Sequence, residues 1–400
     1  MRIAMISEHA SPLAVLGGVD AGGQNAHVAE LAAALAAEGH ELRVYTRRDD
    51  ATLPEVVSLS DQVDVVHVPA GPASPLPKDE LLPYMGGFAD WMARDWQGGW
   101  KPDVAHAHFW MSGLATVTAA RRCDVPVVLT YHALGSVKRR HQGAADTSPE
   151  HRIGYERQLG RVVDRVIVQC QDEVRELVGL GVPRSRTTMV PSGVNTDRFR
   201  KDGPVAPGGT VRRILSVGRL VPRKGFEDLI RALPEVPRAE LVIVGGPEAE
   251  LLDQDPYAQH LLRLAKENHV ENRVRLTGSV PAAEMPAWYR SAAVVAATPW
   301  YEPFGLTPLE AMACGVPVVA TAVGGLTDTV VDGVTGDLVA PRDPAGLGSA
   351  LRRLLSDENR RLGYAAAAVD RAQNAYAWPR IAARMGAVYA SVAAIPAAVA

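Results

Sequence analysis

The chain has 400 residues, 47% hydrophobic and 22% charged, with a formal net charge of −3. That balance describes a soluble globular protein with room for two ordinary domains, and it gives no electrostatic case for a nucleic-acid partner. Cys123, Cys170 and Cys314 are too few and too scattered for a disulfide framework or a cysteine zinc site. No stretch reaches the roughly 18 apolar residues of a membrane span, and the opening run MRIAMIS is cut short by Glu8 and His9 before it could serve as a signal segment. The expectation is a cytoplasmic protein, monomeric or homodimeric.

In chain order, RIAMIS reads as an apolar strand and QNAHVAELAAALAAEGH as an Ala-rich helix closed by Gly39. LRVYTR and VDVVHVPA are further strands, a helical stretch follows over about residues 80 to 97, and PDVAHAH runs from strand into loop. MSGLATVTAARRCD is helical, VPVVLTYH a strand, and RVVDRVIVQCQDEVRELVGLG a strand followed by a helix. Strands apolar throughout and separated by helices indicate a parallel sheet covered on both faces. The segment from about 191 to 210 is dense in Pro, Gly and charge and reads as the domain linker.

The pattern then restarts. RRILSVG, ELVIVGG, RVRLTGSV, VVAATP and PVVATAV alternate with helical FEDLIRALPEV, AQHLLRLAKENH and AEMPAWYRSA, and residues 344 to 395 are helical with a break at Trp378-Pro379. The predicted organisation is an α/β chain of two doubly wound, Rossmann-like domains, 1–196 and 207–377, with a C-terminal segment 378–400 that crosses back to the first. Two such domains would face each other across a cleft suited to a ligand.

Three loops carry candidate chemistry. PWYEPFGLTPLEAMACG places Glu302 and Glu310 eight residues apart, with Pro303, Gly305 and Pro308 breaking any continuous helix between them. Carboxylates beyond a strand's carboxyl end suit hydroxyl-rich ligands such as a ribose and a hexose. Thr307-Pro308-Leu309-Glu310 also reads as a capping box with Thr307 at the N-cap, so capping is an equal explanation for Glu310 alone. GRLVPRKG sets Arg219 and Lys224 between a strand and a helix, a cationic pair suited to a diphosphate, with a solvated basic loop as the plainer alternative. GGVDAGGQN, residues 17 to 25, is a Gly-rich turn able to cradle an anion at a helix start, though not a G-x-G-x-x-G, and Thr46-Arg47 stand where a NAD-binding acid would.

His106, His108 and His132 end first-domain strands; their spacing supplies no third metal ligand, and buried hydrogen bonding is the commoner role for such residues. Asp253-Gln254-Asp255 reads as surface rather than a metal motif, and the cations from Lys138 to Arg165 as a solvated helix face, with a membrane surface or anionic acceptor as alternatives.

Taken together, DAGGQNAHVAELAAAL, AHAHFWMSG, YHALGSVK, VPSGVNTDRF, GRLVPRKG and YEPFGLTPLEAMACGVPVVAT resemble the family-4 retaining glycosyltransferases of GT-B fold across nearly the whole chain. The subgroup most similar contains D-inositol-3-phosphate N-acetylglucosaminyltransferase and sucrose-phosphate synthase. The resemblance implies that Glu310 holds the donor ribose and Glu302 the 3-hydroxyl of the donor hexose, with backbone N–H groups of Phe304, Gly305 and Leu306 on hexose and phosphate. Arg219 and Lys224 would bind the diphosphate, Gly23 would add a backbone donor, and His132 would touch the hexose near its 6-hydroxyl. In this family the acceptor phosphate is held by Lys, Tyr, Thr and Arg; here Lys78 and Arg152 match, but Phe109 and Ala133 replace the two hydroxyl residues. Each lost donor is worth about 1–3 kcal/mol if its partner stays buried and charged.

The implied activity is transfer of a glucosyl or N-acetylglucosaminyl group from a UDP-linked donor to a small hydrophilic acceptor: a sugar, sugar phosphate, cyclitol or aminocyclitol. No metal or other cofactor is implied. The alternatives are a GDP-mannose-dependent mannosyltransferase at a membrane surface, a non-catalytic nucleotide-sugar-binding protein and, against the missing fingerprint, a nicotinamide dehydrogenase.

Overall fold

The computed structural model describes residues 1–14, 22–209 and 211–394. The chain divides into two compact units, one of residues 1–191 together with the segment from Trp378 onward, the other of residues 192–377. The first unit holds strands β1 (Arg2–Ile6), β2 (Glu41–Arg47), β3 (Val56–Ser60), β4 (Val63–Val68), β5 (Val104–His108), β6 (Val127–Thr130), β7 (Arg165–Val168) and β8 (Thr187–Met189). Among them run helices α1 (Gly23–Ala37), α2 (Met85–Gln97), α3 (Trp110–Cys123), α4 (Gly135–Gln142), α5 (Arg152–Val162) and α6 (Gln171–Gly179).

The sheet order is β3-β4-β2-β1-β5-β6-β7-β8, parallel except where β3 pairs with β4. Alternation along the strands builds the two covered faces. Ala4 and Ile6 join one apolar cluster with Ala105, Ala107 and Leu129, while Ile3 and Met5 join another with Val44, Val104 and Val128. The second cluster is closed by α1 and by the C-terminal helix Trp378–Ala393, whose Ile381, Met385 and Tyr389 are buried there. Winding outward from β1 in both directions leaves a switch point between β1 and β5, where open α/β sheets hold ligands beyond the strand ends.

The second unit repeats the plan with β9 (Arg212–Val217), β10 (Ala239–Val244), β11 (Val274–Leu276), β12 (Val294–Ala297), β13 (Val318–Thr321) and β14 (Gly336–Val339). Its helices are α7 (Phe226–Ala232), α8 (Pro256–Glu267), α9 (Met285–Arg290), α10 (Leu306–Ala313), α11 (Leu326–Thr329), α12 (Pro344–Ser356) and α13 (Glu358–Ala375). The all-parallel order β11-β10-β9-β12-β13-β14 puts the switch point between β9 and β12.

Residues 192–209 are part of this unit rather than a free linker. Val194 bridges Ala377, Phe199 is buried against Tyr289, and Ala206 donates its N–H to the Ala287 carbonyl at 3.0 Å. Polar composition hid this because three buried apolar side chains, Val194, Phe199 and Ala206, anchor the segment.

Candidate functional site

In the second unit, both loops singled out from the sequence rise from the strands flanking the switch point. GRLVPRKG follows β9 and the two-Glu loop follows β12. The loops are fastened together: the Trp300 N–H donates to the Arg223 carbonyl at 2.8 Å, and Lys224 Nζ reaches Glu302 Oε2 at 2.6 Å. Gly225 makes this approach possible, since it sits at φ 69° and a Cβ there would lie 1.9 Å from the Thr298 carbonyl oxygen.

Lys224 and Glu302 are largely enclosed, at 20% and 16% side-chain exposure. Burial pushes the Glu302 carboxyl upward, but Lys224, Arg223 and Arg219 outweigh it and hold it below the ordinary carboxylate range. Arg219, Lys224 and Glu302 thus form one electrostatic group. The other side of the loop rests on a Gly-Gly pair unremarked in the sequence. Gly325 donates to the Glu302 carbonyl at 3.0 Å, and a Cβ on Gly324 would stand 2.1 Å from that same oxygen.

The capping-box reading of Glu310 is corrected. Helix α10 starts two residues earlier, with Gly305 at its N-cap and φ 86°, so Glu310 is the fifth helical residue and no cap. A left-handed glycine can begin the helix without Thr307. Instead Glu310 Oε2 accepts from the Tyr289 hydroxyl of α9 at 2.5 Å. Phe304 is buried, while the N–H groups of Leu306 and Thr307 lie in the first turn, where the helix dipole favours an anion.

In the first unit, Lys78, Phe109, Ala133 and Arg152 come together. The Lys78 ammonium lies 5.4 Å and the Arg152 guanidinium 5.0 Å from the Phe109 ring centre, and Arg152 Nη2 donates to the Ala133 carbonyl at 2.6 Å. Phe109 and His132, which follow β5 and β6, both have positive φ, 87° and 60°, the kind of backbone strain that clusters at ligand sites. Gly23 opens α1; residues 17 to 21 of the Gly-rich turn before it lie outside the described residues.

The histidines form a buried cluster. His108 Nδ1 and His132 Nε2 are 2.9 Å apart, and His106 spans the Tyr389 and Thr130 hydroxyls at 2.7 and 2.8 Å. Burial lowers His27 to about 4 and His106 to about 3, and holds His108 and His132 well below 6.5 with further help from neighbouring imidazoles. The sequence spacing supplied no third metal ligand, yet the fold brings His27 of α1 to His108 and His132, with ring nitrogens within 4.8 Å of one another.

Most of the basic run is already engaged. Lys138 pairs with Asp146 at 3.0 Å, Arg140 with Glu176 at 2.7 Å and Arg152 with Glu156 at 2.7 Å, while Arg161 and Arg165 donate to backbone carbonyls. Asp255 caps α8 through the Ala258 N–H, and no described helix is long and apolar enough to cross a membrane.

Comparison with known proteins places this geometry. The profile for Glycosyltransferase Family 4 matches residues 21–198 and that for Glycosyl transferases group 1 matches residues 197–371. The D-inositol 3-phosphate glycosyltransferase of Xylanimonas cellulosilytica is 37% identical, covering 97% of this chain and 96% of that protein. The enzyme of the same name from Kineococcus radiotolerans is 36% identical, over 94% of this chain and 92% of that one. Among solved structures, the sucrose-phosphate synthase of Thermosynechococcus elongatus superposes with a TM-score of 0.87 at 31% identity, covering 98% of both chains. Two tandem Rossmann-like units, loops at both switch points and similarity to these relatives over nearly the whole chain lead to one conclusion: the chain belongs to the family-4 glycosyltransferases of GT-B fold.

Proposed function

We propose that the protein is a retaining, metal-independent hexosyltransferase that uses a UDP-linked sugar and a small hydrophilic acceptor, in the cytoplasm. The observation that carries the donor half is the Arg219–Lys224–Glu302 group on loops joined at the β9/β12 switch point. The two cations and the α10 N-terminus would take the diphosphate, whose charge grows as the bond to the sugar breaks; preorganised charge aimed at a leaving group needs no metal. Glu310, held by Tyr289, would accept the ribose hydroxyls, and Glu302 a hexose hydroxyl.

In the proposed step the acceptor oxygen forms a bond to the anomeric carbon on the face the diphosphate leaves. The anomeric carbon–oxygen bond breaks with its electron pair going to the phosphate, and the acceptor proton passes to a donor phosphate oxygen. No carboxylate nucleophile is required. His132, kept neutral by burial, would give the hexose a hydrogen-bonding partner without adding charge. The relatives named D-inositol 3-phosphate glycosyltransferases favour a small acceptor over a lipid one, and the extensive pairing of the basic run removes the main support for a membrane surface.

The test is transfer from UDP-glucose and UDP-N-acetylglucosamine to a panel of small polyols, with the product's anomeric configuration read by proton NMR. An α-glycoside from the α-configured donor is expected. A β-product, or transfer from GDP-mannose alone, would overturn the reading.

A further inference from the structure

An open pocket indents the first unit. It lies beyond the carboxyl ends of β1 and β2 and is lined by Glu8, His9, Arg47, Asp49 and Lys78, among others. Its charges differ in how far they are already committed. Arg47 gives its terminal nitrogens to the carbonyls of Pro72 and Ser74, at 2.6 and 2.7 Å. The Lys78 ammonium, by contrast, makes no hydrogen bond or ion pair among the described residues and lies 5.4 Å from the centre of the Phe109 ring. Its three N–H donors are open to a ligand.

Glu8 is buried with its side chain fully enclosed, and its two carboxylate oxygens already accept from the Ser112 hydroxyl and from His9 Nδ1, the latter at 2.7 Å, so it bears on the pocket through its charge rather than through an open acceptor. Behind Phe109, each nitrogen of Arg152 already donates: Nε to Glu156 at 2.7 Å, Nη1 to Ser148 at 3.1 Å, Nη2 to Ala133 at 2.6 Å. Its charge is met by Glu156, and the Phe109 ring, which can donate no hydrogen bond, lies over it.

A phosphate monoester brought here would carry nearly two negative charges. It would meet one uncommitted ammonium and the carboxylates of Glu8 and Asp49, so its oxygens would lose water without gaining enough donors. A polyol meets no such penalty, because its hydroxyls can accept from Lys78 and bring no charge toward Glu8 or Asp49. Resting on the glycosyltransferase reading above, we propose that the acceptor is an uncharged polyol, a cyclitol or sugar without phosphate, bound in this pocket against Lys78.

The experiment pairs each of myo-inositol, glucose and fructose with its own monophosphate. UDP release from UDP-glucose and UDP-N-acetylglucosamine is followed, after UDP binding to the full chain has been measured by calorimetry. The unphosphorylated member of at least one pair is expected to give a kcat/KM at least tenfold higher than its phosphate. Lys78→Met should lower that value about tenfold and leave UDP affinity unchanged, and Glu8→Gln should shift the preference toward the phosphate. A phosphate preferred in every active pair, or UDP binding without turnover of any unphosphorylated member, overturns the proposal. Failure to bind UDP at all would instead remove the donor reading on which it rests.

Discussion

Replacing Glu302 with Gln should slow the reaction yet tighten the binding of its nucleotide product. Without ligand, Lys224 is committed to Glu302 at 2.6 Å in surroundings that leave each side chain a fifth exposed or less. An incoming diphosphate must draw Lys224 away from that carboxylate. A hydrogen bond between charged groups contributes about 1.5–3 kcal/mol, and a neutral amide oxygen in its place about 0.5–1.5. The difference, on the order of 1 kcal/mol, should appear as UDP bound about fivefold more tightly by Glu302→Gln in isothermal titration calorimetry. Turnover should fall by about 10² or more, the scale of removing one electrostatic contact to the reacting sugar. Arg219→Ala and Lys224→Ala should show the same loss of turnover but weaker UDP binding. If Glu302→Gln bound UDP no better than the native protein, Lys224 would not be the group shared between carboxylate and diphosphate.

Gly324→Ala should be severe, because its Cβ would fall 2.1 Å from the Glu302 carbonyl at a φ of 48°; we expect about 2–4 kcal/mol of lost stability by denaturant titration and at least tenfold lower turnover. The histidine cluster should make stability fall as pH drops from about 6.5 toward 4, since the unfolded chain then binds protons that His27, at about 4, and His106, at about 3, refuse when folded. His27 alone represents about 3 kcal/mol over that window. Glu173, raised to about 7 by burial, acts in the opposite sense, adding stability below about 4.5 that is lost as pH rises through 7. Urea midpoints from pH 4 to 8 should therefore peak near pH 6.5–7, and a curve still rising toward pH 4 would contradict the buried neutral histidines. Chelation with EDTA should leave turnover within a factor of about two; a tenfold loss restored by zinc would put an ion at the His27–His108–His132 cluster.

The parallel sheets were legible because their strands are apolar on both faces, as the division of Ala4 and Ile6 from Ile3 and Met5 between two clusters shows. The two-Glu loop was legible because prolines and glycines break the helix between its carboxylates. What escaped sequence reading depends on tertiary approach. Nothing local marks Tyr289 as the partner of Glu310, or His27 as the neighbour of His132. Gly324-Gly325 could have been suspected, since it follows a strand end as the other Gly-rich loops do. Arg152 and Glu156 stand four apart on α5, a spacing that favours an ion pair and could have warned that Arg152 was committed.

The most direct test of the central claim is thermal unfolding of the native protein and Glu310→Gln with UDP, GDP, ADP or NAD, each near one hundred times its dissociation constant for the native protein where one is measurable. A ligand at that level stabilises by about 2.7 kcal/mol. The account predicts a shift with UDP in the native protein that shrinks in Glu310→Gln, whose amide oxygen can still accept from Tyr289 and so preserves the fold. A shift with NAD alone, or an equal UDP shift in both proteins, would contradict it.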